Sequence, residues 1–363
     1  MAEQKKPKNR FIPVAEFCVR SHGAECERCR IACPHGAITY AGPSSTPRID
    51  EEACSKCGIC MGVCDGFAST RVSIPNLHAH IRKIALRGEL VYLTCKENIF
   101  PGFEPASNVV VLPCLACISP EFWTLMLAEN IPLVLACDFK YCSDCNVAPE
   151  RGELLYTRAI QTAESWSGGS VRFDKEIPEK PSEAAKGLSD TQFGRREAFD
   201  SIKGDVVDVV SGRREIKNSE TLQTYYEKKE RKRAVKRLNL AGNGAFINEY
   251  APGGSSATLF TPRRKMLLEA ISRKPEIAGH ITTVISDTDQ SLCDGCLQCT
   301  QVCMTGARNI SRDNGSLTFD AKLCIGCGAC VTVCPKGACD LVETSAEAFD
   351  LDSPEEETGT QPL

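Results

Sequence analysis

The side chains best equipped for chemistry in this chain are its thiols, 23 cysteines against only five histidines. A thiol can close a disulfide, attack a substrate or, as thiolate, hold iron or zinc, and placement separates these fates. Fourteen cysteines lie between Cys18 and Cys145, none between residues 146 and 292, and nine between Cys293 and Cys339. Disulfide scaffolds are usually short secreted chains. Here the start, MAEQKKPKNRFIPVAEF, is basic and lacks the apolar core of a secretory signal. No stretch approaches the ~18–20 apolar residues that cross a bilayer. These features predict a cytoplasmic protein whose thiols are free or bind metal.

The spacing favours metal. The C-terminal run reads Cys293-x2-Cys296-x2-Cys299-x3-Cys303, then Cys324-x2-Cys327-x2-Cys330-x3-Cys334-Pro335. Three thiolates two residues apart can curl around three corners of a cubane, while the following helix carries the fourth to a second cubane. One [4Fe–4S] site would take Cys293, Cys296, Cys299 and Cys334, and the other Cys303, Cys324, Cys327 and Cys330. Gly295, Gly326 and Gly328 would let backbone approach the inorganic core. Thiolate quartets also suit zinc, but three close cysteines plus a crossed fourth, twice over, suit cubanes better.

The N-terminal run departs once. Cys54-x2-Cys57-x2-Cys60-x3-Cys64 is regular, whereas the first half reads Cys18-x7-Cys26-x2-Cys29-x3-Cys33-Pro34, with Gly23 where the first cysteine would stand. A lengthened loop with Cys18 as ligand gives sets of Cys18, Cys26, Cys29, Cys64 and of Cys33, Cys54, Cys57, Cys60. With Cys18 a bystander, the first site would instead hold a three-iron cluster. Both runs resemble bacterial dicluster ferredoxins, which implies one-electron transfer at low potential and names no substrate.

Six cysteines lie between the modules. Cys95 follows LVYLT, Cys114 follows VVVLP and Cys137 follows PLVLA, so each closes a predicted strand; Cys117 follows on the Cys114 loop and Cys142-x2-Cys145 on the next. In a parallel sheet those ends share one edge, where ligands usually bind. Zinc, a redox dithiol or inert core thiols remain alternatives. LPCLACISPEFW and LVLACDFKYCSDC resemble the iron–sulfur delta subunit of methyl-viologen-reducing hydrogenases. That resemblance implies a [2Fe–2S] fifth centre, with Cys95, Cys114, Cys137, Cys142 and Cys145 the candidate ligands. Cys339 reads as a small apolar residue.

Elements must position these groups. HAHIRKIALRG predicts a helix ending at Gly88, followed by strands at 90–94, 109–112, 132–136 and 170–173. SPEFWTLMLAEN predicts a helix capped by Ser119 with Pro120 at its first position, and GELLYTRAIQTAESW a second long helix. Apolar strands alternating with helices predict a parallel sheet. NISRDNGSLTF predicts a hairpin around Asp313-Asn314-Gly315.

The expected fold class is modular α+β. A dicluster module at 1–72 precedes a cysteine-rich α/β unit at 73–178, a helical connector at 179–285, a second dicluster module at 286–342 and an acidic disordered tail at 343–363. No phosphate-binding loop, nucleophile elbow or H-E-x-x-H motif is present, and Gly242-x-Gly244 lacks the rest of a dinucleotide fingerprint. The arginine pairs in FGRREAFDSI and TPRRKMLLEAI read as helix starts rather than export signals. Phe199, Ile202, Val206 and Val209 would form one apolar stripe, and Leu267, Ala270 and Ile271 another. The basic stretch EKKERKRAVKR (227–237) reads as a solvated helix face rather than a nucleic-acid site. The function these features predict is relay of single electrons to or from a larger reductase, hydrogenase or dehydrogenase subunit of an anaerobic redox complex. A cysteine-based redox enzyme and a cluster-containing redox sensor are the alternatives.

Overall fold

The computed structural model describes residues 11–70, 73–180, 259–311 and 313–349. The expectations for the Phe199–Val209 stripe, Gly242-x-Gly244, the basic stretch at 227–237 and the tail beyond Phe349 lie outside the described residues.

Residues 11–70 fold around two short helices. Strand β1 (Phe11–Pro13) is followed by α1 (Arg28–Ala32), β2 (Ile38–Thr39), β3 (Arg48–Ile49), α2 (Ile59–Val63) and β4 (Phe67–Ser69). β1 pairs antiparallel with β4, and β2 with β3.

The middle of the chain forms the sheet. Helix α3 (Ile74–Ala85) leads into β5 (Val91–Cys95), β6 (Val109–Leu112), α4 (Pro120–Ala128), β7 (Leu133–Ala136), α5 (Lys140–Ser143), α6 (Arg151–Ser167) and β8 (Arg172–Asp174). The strand order is β6-β5-β7-β8, and every pairing is parallel. Ser119 accepts from the Phe122 N–H with Pro120 next in line, so α4 starts where its capping chemistry dictates. Helix α3 starts earlier than expected, because Ser73 caps it from the Asn76 N–H. Helix α4 is buried from Phe122 to Ala128, since it packs against α6 on one flank and a further helix, α7 (Pro262–Arg273), on the other. Phe122, Trp123 and Met126 fill the main core with Leu93, Leu115 and Ile160.

The expected stripe on α7 is buried. Leu267, Ala270 and Ile271 pack on Leu125 and Ala128 of α4 and on Phe349. After α7 come β9 (Thr282–Thr288), α8 (Gln298–Gln301), β10 (Arg308–Ile310), β11 (Leu317–Phe319), α9 (Ala329–Val333) and β12 (Cys339–Ser345). β10 and β11 form the expected hairpin, with Gly315 at φ 70°. β9 and β12 pair antiparallel over seven residues, so this unit starts at Thr282 rather than 286. It also runs past residue 343: β12 reaches Ser345, and Ala346 and Phe349 are buried in a final 3-10 turn. The acidic character of this stretch hid a strand whose backbone pairs with β9 residue for residue. Among the described residues no helix is long and apolar enough to cross a membrane.

Candidate metal centres

In the N-terminal unit the lengthened loop folds back on itself. Val19–His22 make a 3-10 turn closed by Gly23 at φ 91°, and Arg20 donates to the Gly42 carbonyl at 3.0 Å while lying 4.1 Å from the Tyr40 ring centre. This brings Cys18 to Cys64. A Cβ on Gly66 would lie 3.3 Å from both the Cys18 Cα and the Cys64 Sγ. Cys29 lies within electrostatic reach of Cys18 and Cys26, and Cys64 of Cys18 and Cys29. The structure thus groups Cys18, Cys26, Cys29 and Cys64. Cys33 meets Cys54, Cys57 and Cys60 in the same way.

The C-terminal unit repeats the crossing. Cys293, Cys296, Cys299 and Cys334 line one hollow, joined by Cys339. Cys303 lies with Cys324, Cys327 and Cys330. Cys296 is exposed, so this hollow opens at the surface.

These surroundings suit a sulfur-bound, negatively charged group. Backbone N–H groups donate to thiol sulfurs from Ala37 to Cys33 (3.3 Å), Gly66 to Cys64 (3.2 Å), Arg308 to Cys303 (3.3 Å) and Ala338 to Cys334 (3.3 Å). Such donors stabilise thiolate charge. Burial alone does the reverse: it pushes the Cys64 thiol up to about 12 and the Cys327 thiol to about 11. A cationic metal core is what makes such thiolates favourable.

The central thiols gather at the carboxyl ends of the strands. Cys95, Cys114, Cys142 and Cys145 line a hollow with Asn98 and Tyr156. Cys137 stands behind it, its Sγ 4.0 Å from the Cys142 Sγ. Asn98 donates to Cys95 at 3.3 Å, the Tyr156 hydroxyl lies 3.5 Å from Cys142, and the Ala148 N–H donates to Cys145 at 3.4 Å. Cys117 does not line this hollow, though it lies within electrostatic reach of Cys114: it is buried against Gly58, and burial pushes it up to about 12.

The units are closely joined. Cys57 lies within electrostatic reach of both Cys114 and Cys117. A Cβ on Gly58 would come within 2.8 Å of Cys117, and one on Gly62 would collide with the Ala116 carbonyl. Helix α2 can therefore seat on the central unit only with glycine at these places. On the other side, Thr261 caps α7 and two arginines diverge from its first turn. Arg263 clasps Glu121 through Nε at 2.8 Å and Nη2 at 2.9 Å, and donates from Nη1 to the Val63 carbonyl and from its backbone to Asp65. Burial pushes the Asp65 carboxyl up to about 6 against the pull of Arg263, whose charge holds Glu121 below its ordinary value against the same burial. Arg264 points the other way, donating to the Cys324 carbonyl and lying 4.4 Å from the Phe349 ring centre. This pair starts a helix, as expected, but its ties to all three cysteine units were not legible. Nor was the polar surround of Asn98, Tyr156, Ser286 and Arg308; lining the two runs up residue by residue would have exposed Arg308.

A family model for a 4Fe-4S dicluster domain matches residues 274–338. No curated protein matches the chain. Residues 274–338 carry a 4Fe-4S dicluster domain, and iron–sulfur binding with a role in electron transfer is the chemistry it supports.

Proposed function

We propose that the chain is an electron relay with four [4Fe–4S] sites, two in each end module, and a [2Fe–2S] centre among the central cysteines. The ligand sets are Cys18, Cys26, Cys29, Cys64; Cys33, Cys54, Cys57, Cys60; Cys293, Cys296, Cys299, Cys334; and Cys303, Cys324, Cys327, Cys330. Cys95, Cys114, Cys137, Cys142 and Cys145 supply the fifth. The observation that carries this reading is the double crossing: in each module the last cysteine of one run lies with the first three of the other. A bound cubane supplies a reversible one-electron couple whose potential depends on hydrogen bonds and exposure.

The protein's own groups do the rest. The thiols give up their protons to ligate, and the N–H donors hold the resulting charge. Their neighbourhoods run in a chain: the central set abuts Cys57, the Cys64 side abuts Arg263, and Arg264 abuts Cys324. Such an arrangement keeps donor and acceptor at fixed spacing inside one polypeptide. The central hollow and the exposed Cys296 face mark the two ends at which a larger reductase, hydrogenase or dehydrogenase subunit would exchange electrons. The compartment this reading calls for is a reducing one such as the cytoplasm, where thiols stay free to ligate.

Cys18→Ser and Cys293→Ser, each made in the full chain and purified without oxygen, test the ligand sets. Each variant is expected to lose a whole cubane or to show a three-iron signal in EPR of the oxidised protein. Unchanged iron and spectra in Cys18→Ser would make Cys18 a bystander. A second reading, a redox dithiol, draws on Cys137, which its hydrogen bond with Cys142 holds below the ordinary thiol range. Loss of a substrate-reducing turnover in Cys142→Ser at full iron content would favour it.

A further inference from the structure

The two end modules share one framework and differ at its centre. Cys33-Pro-His-Gly-Ala-Ile38 is matched by Cys303-Met-Thr-Gly-Ala-Arg308. The equivalence is structural. Asp50 N–H donates to the Ala37 carbonyl as Asp320 N–H does to Ala307, both at 2.8 Å, and Ile38 pairs with Ile49 as Arg308 pairs with Phe319. By the same strand register Phe11 matches Ser286 and Phe67 matches Cys339, since Phe11 pairs with Ser69 and Pro13 with Phe67, while Ser286 pairs with Leu341 and Thr288 with Cys339. The place between the two cysteine sets therefore holds Phe11, Ile38 and Phe67 in one module, and Ser286, Arg308 and Cys339 in the other.

Arg308 is 2% exposed, and Ile38 3%. Its guanidinium donates to the Ser286 hydroxyl at 2.6 Å, the Thr288 hydroxyl at 2.6 Å and the Asp287 carbonyl at 2.8 Å; none of these is a carboxylate. Ser286 Oγ lies 3.0 Å from the Cys330 Sγ, and the Arg308 backbone N–H donates to Cys303. The guanidinium also acts electrostatically on Cys299, which belongs to the other set. A guanidinium cannot shed its charge by deprotonation. Buried without a carboxylate partner, it is costly unless negative charge stands nearby. Four thiolates around a cubane core on each side would provide that charge.

Resting on the relay reading, we propose that Arg308 is a positioning residue that raises the reduction potentials of both C-terminal clusters above those of the N-terminal pair. Each couple takes up one electron from a one-electron donor, with no bond made and no proton bound, so the cluster with its thiolates becomes more negative by one unit. A fixed cation beside it favours the reduced form, the more so in a low-dielectric interior. The apolar centre of Phe11, Ile38 and Phe67 offers no such cation. Electrons delivered to the central or N-terminal sites then run downhill toward the exposed Cys296 face.

The test is an EPR-monitored redox titration of the full chain, loaded without oxygen, for the parent and for Arg308→Ile, Arg308→Gln and Arg308→Lys. Isoleucine is what the other module carries at this place, and lysine keeps the charge. The parent is expected to show two cubane couples above two others. Arg308→Ile and Arg308→Gln lower the upper two at least tenfold in their equilibrium constant, about 59 mV for one electron, leave the lower two in place, and Arg308→Lys restores most of the shift. Full iron content with unmoved upper couples in both neutral variants overturns the inference while leaving the relay intact. Should neither neutral variant load, the parent decides: four indistinguishable couples overturn the inference, and a split from whose upper pair Cys303→Ser removes a member upholds it. Iron-free parent protein sinks the relay itself.

Discussion

The N-terminal and C-terminal modules cross their cysteine sets in the same way, yet the second helix of one presses on the central unit and that of the other does not. Helix α2 presses Gly58 and Gly62 against the central unit. In α9, Gly328 matches Gly58 with only Leu341 near it, at 3.7 Å, and exposed Thr332 takes the place of Gly62. The centres differ too, apolar in one and cationic in the other. Cysteine spacing thus determines the cradle, while residues between and outside the cysteines determine what surrounds it.

The sharpest way to break this comparison is to exchange the outer faces. Gly62→Thr places a Cβ into the Ala116 backbone, and overpacking of this kind costs about 3 kcal/mol or more. The expected outcome is a lower thermal midpoint and reduced iron content, whereas Thr332→Gly costs about 1 kcal/mol at most and keeps its iron. Equal behaviour of the two variants would show that α2 does not lean on the central unit.

Next in size is the seam. Arg263 closes a partly buried pair with Glu121, and deleting one partner of such a pair costs about 3 kcal/mol. Arg263→Met is expected to lower stability by that amount in chemical denaturation and to raise protease sensitivity around α7. An unchanged denaturation midpoint would reduce this contact to a surface ornament. The smallest effect belongs to Tyr40, whose hydroxyl lies 3.4 Å from the Cys29 Sγ, where the C-terminal module has exposed Ile310. Tyr40→Phe removes one hydrogen bond, worth about 1 kcal/mol, and is expected to move one N-terminal couple slightly to lower potential. Ile310→Val leaves the C-terminal couples where they are.

Much of this architecture was legible in the residues. The crossing of cysteine sets follows from x2, x2, x3 spacing, and the parallel sheet from apolar runs alternating with helices, one of them started by Ser119 and Pro120. Cys18 reads from the spacing as a ligand, with a bystander role as the alternative, and the folded 3-10 turn and Gly66 bring it to Cys64. Arg263 meets Asp65 across 198 positions, and no local pattern encodes a contact so remote. The β9–β12 ladder hid for a related reason: Glu343 and the residues after it read as acidic tail, although the backbone through Ser345 pairs with β9. Arg308 escaped notice because a single basic residue in a short strand carries no periodic signal.

The most direct measurement is an iron and acid-labile sulfide count on anaerobically purified full-length protein, with EPR of the reduced form. About sixteen irons from four cubanes, or about eighteen with a [2Fe–2S] centre, are the expected result. A colourless preparation holding zinc in place of iron would contradict the account at its root.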